Sequence, residues 1–310
     1  MEVTHEYICG GRLRLYKVAG ESHRLLLKTI RDHVDSGKFP GPNPVSLERS
    51  NFSILQNKMY WLCEKTDGIR YVLCCFEHND MNISVLMDRS FSLYLFPLRH
   101  TPTAMFQGTI LDGEVAYNKL SKRWTFLIFD ALDVSGIPMH TLPFSQRMAC
   151  VQKALAPYRP EPDDPGLLCV KKFIPSCIAS SFKEHMGSMQ SSYDIDGIIL
   201  TPEDDSIVFG RHMGMFKLKT HHTVDFEVAP NGIGLMVYDF TKQKSVTVAK
   251  LSSSSTPGTV VECELMNDDC WKIIHQRKDK STANDMLTYT KTLLNIRESI
   301  TLDEVLDVWA

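Results

Sequence analysis

Lys65-Thr66-Asp67-Gly68, with Arg70 two residues on, sets an amine between one apolar strand that ends at it and another that begins after it. An Asp-Gly pair at that point suits a two-residue hairpin turn, with Lys65 merely solvated. The chemical alternative is a nucleophilic lysine at a strand end. Such an amine attacks only when neutral, so its surroundings must favour proton loss, by desolvation or by a nearby cation such as a bound metal ion.

Asp112-Gly113-Glu114 and Asp196-Gly197 also read as hairpin turns. Against that, Ile110-Leu111 before the first and Ile198-Ile199-Leu200 after the second are core-strand residues that leave the carboxylates at strand ends. Glu114 and Asp196 can then face one cavity, where hard oxygen ligands suit Mg²⁺ or Mn²⁺. In Phe216-Lys217-Leu218-Lys219, strand alternation puts both lysines on one face, either as a solvated edge or as a phosphate cradle. Arg277-Lys278-Asp279-Lys280 is a charge run of the kind that polar loops carry. Phosphate loops of the GxxxxGK[ST] type, GxGxxG, HExxH and GxSxG are all absent, and His221-His222 lack partners at metal-ligand spacing.

The elements that must hold these groups follow from periodicity. Leu26, Leu27, Ile30 and Val34 predict a helix with Ser22 as N-cap and Gly37 as terminator, and the proline-rich Pro40–Pro44 excludes helix after it. Short β-rich runs at Met59–Glu64, Tyr71–Phe76, Ile83–Met87 and Arg123–Asp130 predict an antiparallel-rich sheet. A helix near Ser181–Met189 and strands at Gly197–Leu200 and Met215–Lys219 come next. Beyond His222, closely spaced short strands up to Ile274 have the texture of a small barrel. A capping box, Thr301 with Glu304, opens a last helix whose Leu302, Val305, Leu306 and Trp309 form a stripe that must dock.

Length and composition bound the rest. With 310 residues, 43% hydrophobic and 23% charged, the chain is neither fibrous nor disordered. A net charge of -3 excludes an all-over polycation but not a local basic groove. No apolar run reaches bilayer length, and Glu2, His5 and Glu6 occupy the region where a signal peptide is basic and then apolar, so the expectation is an intracellular protein that is not secreted. Nine cysteines without a CxxC pair read as mostly buried, reduced thiols.

In that order, from residue 65 to residue 280, the five charged elements resemble the covalent nucleotidyltransferase superfamily, which holds the mRNA capping guanylyltransferases and the polynucleotide ligases. Within it the chain is most similar to the compact capping enzymes of the chlorella-virus type. The likeness extends to Gly41–Ser46, Asp88-Arg89, Phe129-Asp130 and the stretch around Lys171, and the Arg-x-Asp-Lys at 277–280 favours capping enzymes over most ligases.

The resemblance implies an α+β chain of two domains, an antiparallel-sheet nucleotidyltransferase domain of the ATP-grasp-like or DNA ligase-like kind at 1–222 and a C-terminal OB-fold barrel at 223–299, with the helix 300–310 packing back on the first. It implies that Lys65 carries GMP from GTP as a phosphoramidate and passes it to the 5′-diphosphate end of RNA, with an ATP-dependent ligase as the alternative. Lys217 and Lys219 would neutralise the α-phosphate. Glu114 and Asp196 would serve Mg²⁺ or Mn²⁺, with Glu114 near the ribose, and Arg89 and Arg70 would contact ribose hydroxyls. Phe129 would stack on guanine and Lys171 would read its 6-oxo group. Arg277, Asp279 and Lys280 would orient pyrophosphate. Triphosphatase and methyltransferase steps would fall to other polypeptides, so an RNA triphosphatase, a cap methyltransferase or an RNA polymerase are the expected partners of a viral protein acting in its host cell.

Overall fold

The computed structural model describes residues 1–34, 37–266, 270–278 and 280–309. The chain divides into two compact units: Met1–Val45, Ser53–Lys217 and Leu306–Ala310 form the first, Ser46–Phe52 and Leu218–Val305 the second. The split falls inside the strand Gly210–Lys219, five residues before the boundary expected at 222.

In the first unit a large sheet runs in the order Val3–Ile8, Leu13–Val18, Leu93–Leu95, Met81–Met87, Ile69–His78, Gln107–Asn118, Arg123–Val134 and Ile137–Pro138. Leu167–Val170 adds to it in parallel against Arg123–Val134, and the other described pairings of this sheet are antiparallel. A second sheet runs Ile174–Pro175, Tyr60–Thr66, Ile195–Pro202, Gly210–Lys219, Pro42–Ser46.

The apolar run Tyr71–Phe76 reads without polar alternation because both of its faces are covered. Tyr71, Leu73 and Cys75 join a core with Phe144, Met148 and Val151 of the helix Phe144–Leu155. Val72, Cys74 and Phe76 join another with Leu26 and Ile30 of the helix Gly20–Val34. The expected N-cap of that helix is different: it begins at Gly20, and the Ser22 hydroxyl accepts instead from the Glu2 amide at 3.1 Å.

The second unit holds a closed barrel in the order Thr223–Val228, Gly234–Asp239, Lys244–Leu251, Cys270–Gln276, Val260–Leu265, with one parallel pair, Lys244–Leu251 against Cys270–Gln276. This is the five-stranded Greek-key arrangement of an OB-fold. Val224, Phe226, Val237, Val261 and Trp271 fill it, and Phe226 meets Trp271 edge-on at 4.9 Å. The helix Met286–Glu298, which the sequence reading missed, caps its start with Asp285 (2.7 Å to the Thr288 amide) and packs Met286, Tyr289, Leu293 and Ile296 on that core.

At the C-terminus the Thr301–Glu304 capping box forms, but the helix covers only Leu302–Leu306 before a 3₁₀ turn at Asp307–Trp309. Within the first unit Trp309 donates its indole N–H to the Leu55 carbonyl at 2.9 Å and lies 6.2 Å from the Tyr60 ring. The cysteines are free, with Cys9, Cys63, Cys74, Cys75 and Cys263 buried but Cys169 and Cys177 exposed.

Candidate active site

Lys65 is the penultimate residue of Tyr60–Thr66, and Asp67-Gly68 is not a hairpin turn. Tyr60–Thr66 belongs to the five-stranded sheet and the next strand, Ile69–His78, to the large one, so the two residues carry the chain between sheets. The Asp67 amide donates to the Asp194 carbonyl at 2.8 Å, which fixes the crossing. A Cβ on Gly68 would come within 3.0 Å of Glu114 Oε2 and of the Val115 carbonyl, so only glycine passes there without displacing Glu114.

Asp196 is not at a turn either. The pairing of Ile195–Pro202 with Tyr60–Thr66 steps from Ile195↔Thr66 to Gly197↔Lys65, which leaves Asp196 as the extra residue of a β-bulge. That bulge aims its carboxylate at the nucleophile candidate, with Lys65 Nζ 2.6 Å from Oδ1 and 2.8 Å from Oδ2. Both side chains are one quarter exposed, so the pair is reachable from solvent.

Glu114 lies mid-strand in Gln107–Asn118, cross-strand from Arg70, and its Oε1 accepts from Lys171 Nζ at 2.7 Å. The Lys171 ammonium also donates to the Glu64 carbonyl (2.9 Å) and Thr66 Oγ1 (2.8 Å), so its three N–H bonds are all engaged. Burial alone would push this ammonium down; Glu114, Cys63 and Glu64 outweigh it and hold it above the usual lysine range. Glu64 is fully buried, and burial would raise its carboxyl, but His185 Nε2 at 3.0 Å and Lys171 hold it below the usual range. Lys171 thus clamps the two residues that flank Lys65, and reading a guanine oxygen would cost it one of these bonds.

Phe129 is placed by a bulge as well. Between Gln107–Asn118 and Arg123–Val134 the pairing passes from Asp112↔Asp130 to Gly113↔Ile128, so Phe129 is the extra residue, and it is half-buried. Arg70 lies over its ring at 5.6 Å. The same guanidinium grips Asp112 through two bonds, Nε to Oδ1 at 2.9 Å and Nη2 to Oδ2 at 2.5 Å. It also donates to the Pro42 carbonyl and to Asn43 Oδ1. The expected ribose contact therefore suits Arg89 better, which is exposed, lies over Phe39 at 5.8 Å and reaches Asn43 Oδ1 at 3.3 Å. Gly41, at φ +118°, passes so close to the Asp112 carboxylate and Arg70 that no Cβ fits.

Lys217 and Lys219 are half-buried beside the buried Phe216 and Leu218, on the strand two places from that of Lys65. In the second unit Arg277 Nη1 meets both oxygens of Asp225 (3.0 and 3.1 Å) and Glu262 Oε2 (3.4 Å), and the Lys280 ammonium also bonds Asp225. Asp279 lies outside the described residues. The sequence reading missed Glu64, Asp112, His185 and Asp225. A carboxylate directly after the apolar run Tyr60–Cys63, still within the strand, was the signal for Glu64, whereas Asp112 was hidden by attention to Glu114.

A hard divalent cation fits the donors present. Glu114 and Asp196 offer only oxygen, from separate strands. No cluster of three or more His, Cys, Asp or Glu stands ready among the described residues, so the ion would share its coordination with nucleotide phosphates, as Mg²⁺ commonly does.

The family model described as mRNA capping enzyme, catalytic domain, matches residues 12–221, and that of the mRNA capping enzyme C-terminal domain matches residues 212–306. The chain belongs to the mRNA capping enzyme family. It is 27% identical over 303 residues to the mRNA-capping enzyme of Danio rerio, covering 88% of this chain and 50% of that one. It is 26% identical over 342 residues to the mRNA-capping enzyme subunit alpha of Neurospora crassa, covering 86% and 83%. Among solved structures, mycobacterial DNA ligase D complexed with ATP and MES matches with a TM-score of 0.44 at 14% identity, over 78% of this chain and 94% of that one. The chain thus spans half the length of the fish capping enzyme and about four fifths of the fungal subunit. The two family-model matches together run from residue 12 to residue 306 of this chain.

Proposed function

We propose that this capping-family chain transfers GMP from GTP to the 5′-diphosphate end of RNA through a lysyl-GMP intermediate on Lys65. The observation that carries this reading is the Lys65–Asp196 pair, an accessible amine fixed by two bonds at the seam between two sheets. Asp196 orients the amine. Once Lys65 has shed a proton, its nitrogen bonds the α-phosphorus as the bond to the β-phosphate oxygen breaks and pyrophosphate leaves. In the second step a terminal phosphate oxygen of the RNA bonds the same phosphorus, the N–P bond breaks, and the lysine amine is regenerated as GpppN forms.

Lys217 and Lys219 supply positive charge for the α-phosphate as negative charge shifts in the transition state. Phe129, braced on one side by Arg70, presents a ring for guanine, and Arg89 meets the ribose. A Mg²⁺ or Mn²⁺ ion held by Glu114 and Asp196 would screen the phosphates and favour the neutral amine. Arg277 and Lys280, with Asp279, serve the leaving pyrophosphate. The subunit name of the Neurospora crassa relative supports a protein partner, for which an RNA triphosphatase, a cap methyltransferase or an RNA polymerase are the candidates. Action inside an infected host cell belongs to the same proposal.

The test is incubation with labelled GTP or ATP and a divalent metal. A GTP-specific, acid-stable and alkali-labile adduct that disappears in Lys65→Ala, with the variant still folded, is expected. An adduct formed only with ATP makes the chain a ligase.

A further inference from the structure

We propose that Phe39 is a positioning residue for the nucleotide, holding the Arg89 guanidinium where the ribose of GTP meets it. The Phe39 ring is half-buried, with Arg89 over it at 5.8 Å and Arg70 at 5.5 Å. Arg70 lies in turn over Phe129 at 5.6 Å, so Phe39 stands beside the same guanidinium that braces the ring offered to guanine.

The two arginines are held in unlike ways. Arg70 uses four of its five N–H bonds on Asp112, the Pro42 carbonyl and Asn43 Oδ1, and is fixed. Arg89 pairs with no carboxylate among the described residues. It donates once, to Asn43 Oδ1 at 3.3 Å, and otherwise rests on Phe39. A carboxylate would tie up its N–H fork, as Asp112 ties up that of Arg70. An aromatic face attracts a guanidinium without taking its N–H bonds, so the remaining donors stay open to the hydroxyl oxygens of a ribose.

The backbone at Arg89 is fixed separately. Asp88 Oδ1 accepts from the Ser90 and Ser92 amides at 2.8 and 2.9 Å, and Oδ2 from the Tyr94 hydroxyl at 3.2 Å. These bonds lock the turn that carries Arg89 and occupy the carboxylate beside it in sequence. Phe39 itself packs on the core that holds Leu26, Ile30 and Met87. Leucine would serve that packing nearly as well as phenylalanine, but it offers no π face to a guanidinium.

The role rests on the proposed ribose contact of Arg89, and the experiment separates the two. The dissociation constant for GTP is measured on Lys65→Ala protein, in which the nucleophile is absent, alone and with Phe39→Leu, Phe39→Tyr, Arg89→Ala and Phe39→Leu/Arg89→Ala added. Phe39→Leu is expected to weaken GTP binding about threefold, and Phe39→Tyr to leave it unchanged. With Arg89 already removed, Phe39→Leu should have no further effect. It should also leave the affinity for 2′,3′-dideoxy-GTP unchanged, since that nucleotide lacks the hydroxyls Arg89 would meet. Equal weakening by Phe39→Leu with and without Arg89 overturns the positioning role, and so do unchanged affinity in Phe39→Leu and a chain that binds no GTP. If Arg89→Ala weakens GTP and the dideoxy nucleotide alike, the ribose contact fails and the proposal falls with it, even if Phe39 and Arg89 remain coupled. Coupling specific to the hydroxyls, in a chain whose intact Lys65 forms no GMP adduct, sinks the capping reading and leaves the role of Phe39 standing.

Discussion

Lys171 Nζ sits 2.7 Å from Glu114 Oε1, with the lysine side chain 3% exposed and the glutamate 12%. A buried ammonium so placed is held by its carboxylates and in turn holds them. Removing it takes the ammonium from Glu114 and leaves Glu64 with His185 alone, and breaking such a pair by taking one partner typically costs about 3–5 kcal/mol. Lys171→Met is therefore expected to lower the unfolding free energy by about that amount in a urea titration. If Lys171 instead reads the base, the variant keeps its stability and loses GTP-over-ATP selectivity in the adduct assay.

Burial pushes the Asp112 carboxyl up to about 6, against the pull of Arg70. Because this value lies above the unfolded one of about 3.9, the folded state holds the proton more tightly. Its contribution to stability is greatest below pH 4 and is lost as pH rises through the window from 4 to 6. Measured over pH 4 to 7.5, wild-type protein should lose up to about 3 kcal/mol relative to Asp112→Asn by pH 6, and the two should run parallel above 7. A constant difference across the window would show that Arg70 keeps the carboxylate ionised throughout.

Gly113 pairs with Ile128, next to the Phe129 bulge, and has no room for a side chain, since a Cβ would lie 2.5 Å from Phe126 Cζ and 2.6 Å from the Leu127 carbonyl. Gly113→Ala should cost about 1–3 kcal/mol by overpacking. It should also raise the KM for GTP by displacing Phe129. Phe129→Leu should raise that KM by about fivefold or more with stability nearly unchanged, so the pair of variants separates the bulge from the ring.

In the barrel, Arg277 and Lys280 share Asp225. Arg277→Ala is expected to slow GMP adduct formation by roughly a hundredfold while sparing transfer to RNA from a preformed adduct. Single-turnover assays of the two half-reactions decide this, and an equal loss in both overturns the pyrophosphate role.

The sequence showed the barrel, the antiparallel sheets and the chemically suitable residues, because strand periodicity and strings of charged groups are local signals. It did not show how the carboxylates are delivered. Asp196 and Phe129 are extra residues of bulges, and a bulge depends on the register between distant strands, which no local pattern encodes. Asp67-Gly68 misleads for the same reason: turn chemistry is identical whether the next strand pairs with the last or leaves for another sheet. Arg70, expected at the ribose, is drawn down by Asp112, a residue 42 positions away. The helix Met286–Glu298 carried its signal in Asp285 and the stripe Met286, Tyr289, Leu293, Ile296, but the nearby short strands drowned it.

Only Asp67 and Gly68 separate Thr66 from Ile69, and each end of that link is locked into a different sheet. A connection that short has no slack, since a residue spans at most about 3.6 Å. One inserted residue would turn the faces of one flanking strand inside out. For protein engineering, this makes the nucleophile's own junction the worst place to cut, permute or tag the chain. The Asn118–Arg123 turn, where the exposed Leu120 and Ser121 donate their amides to Asn118 Oδ1, is where such a modification belongs.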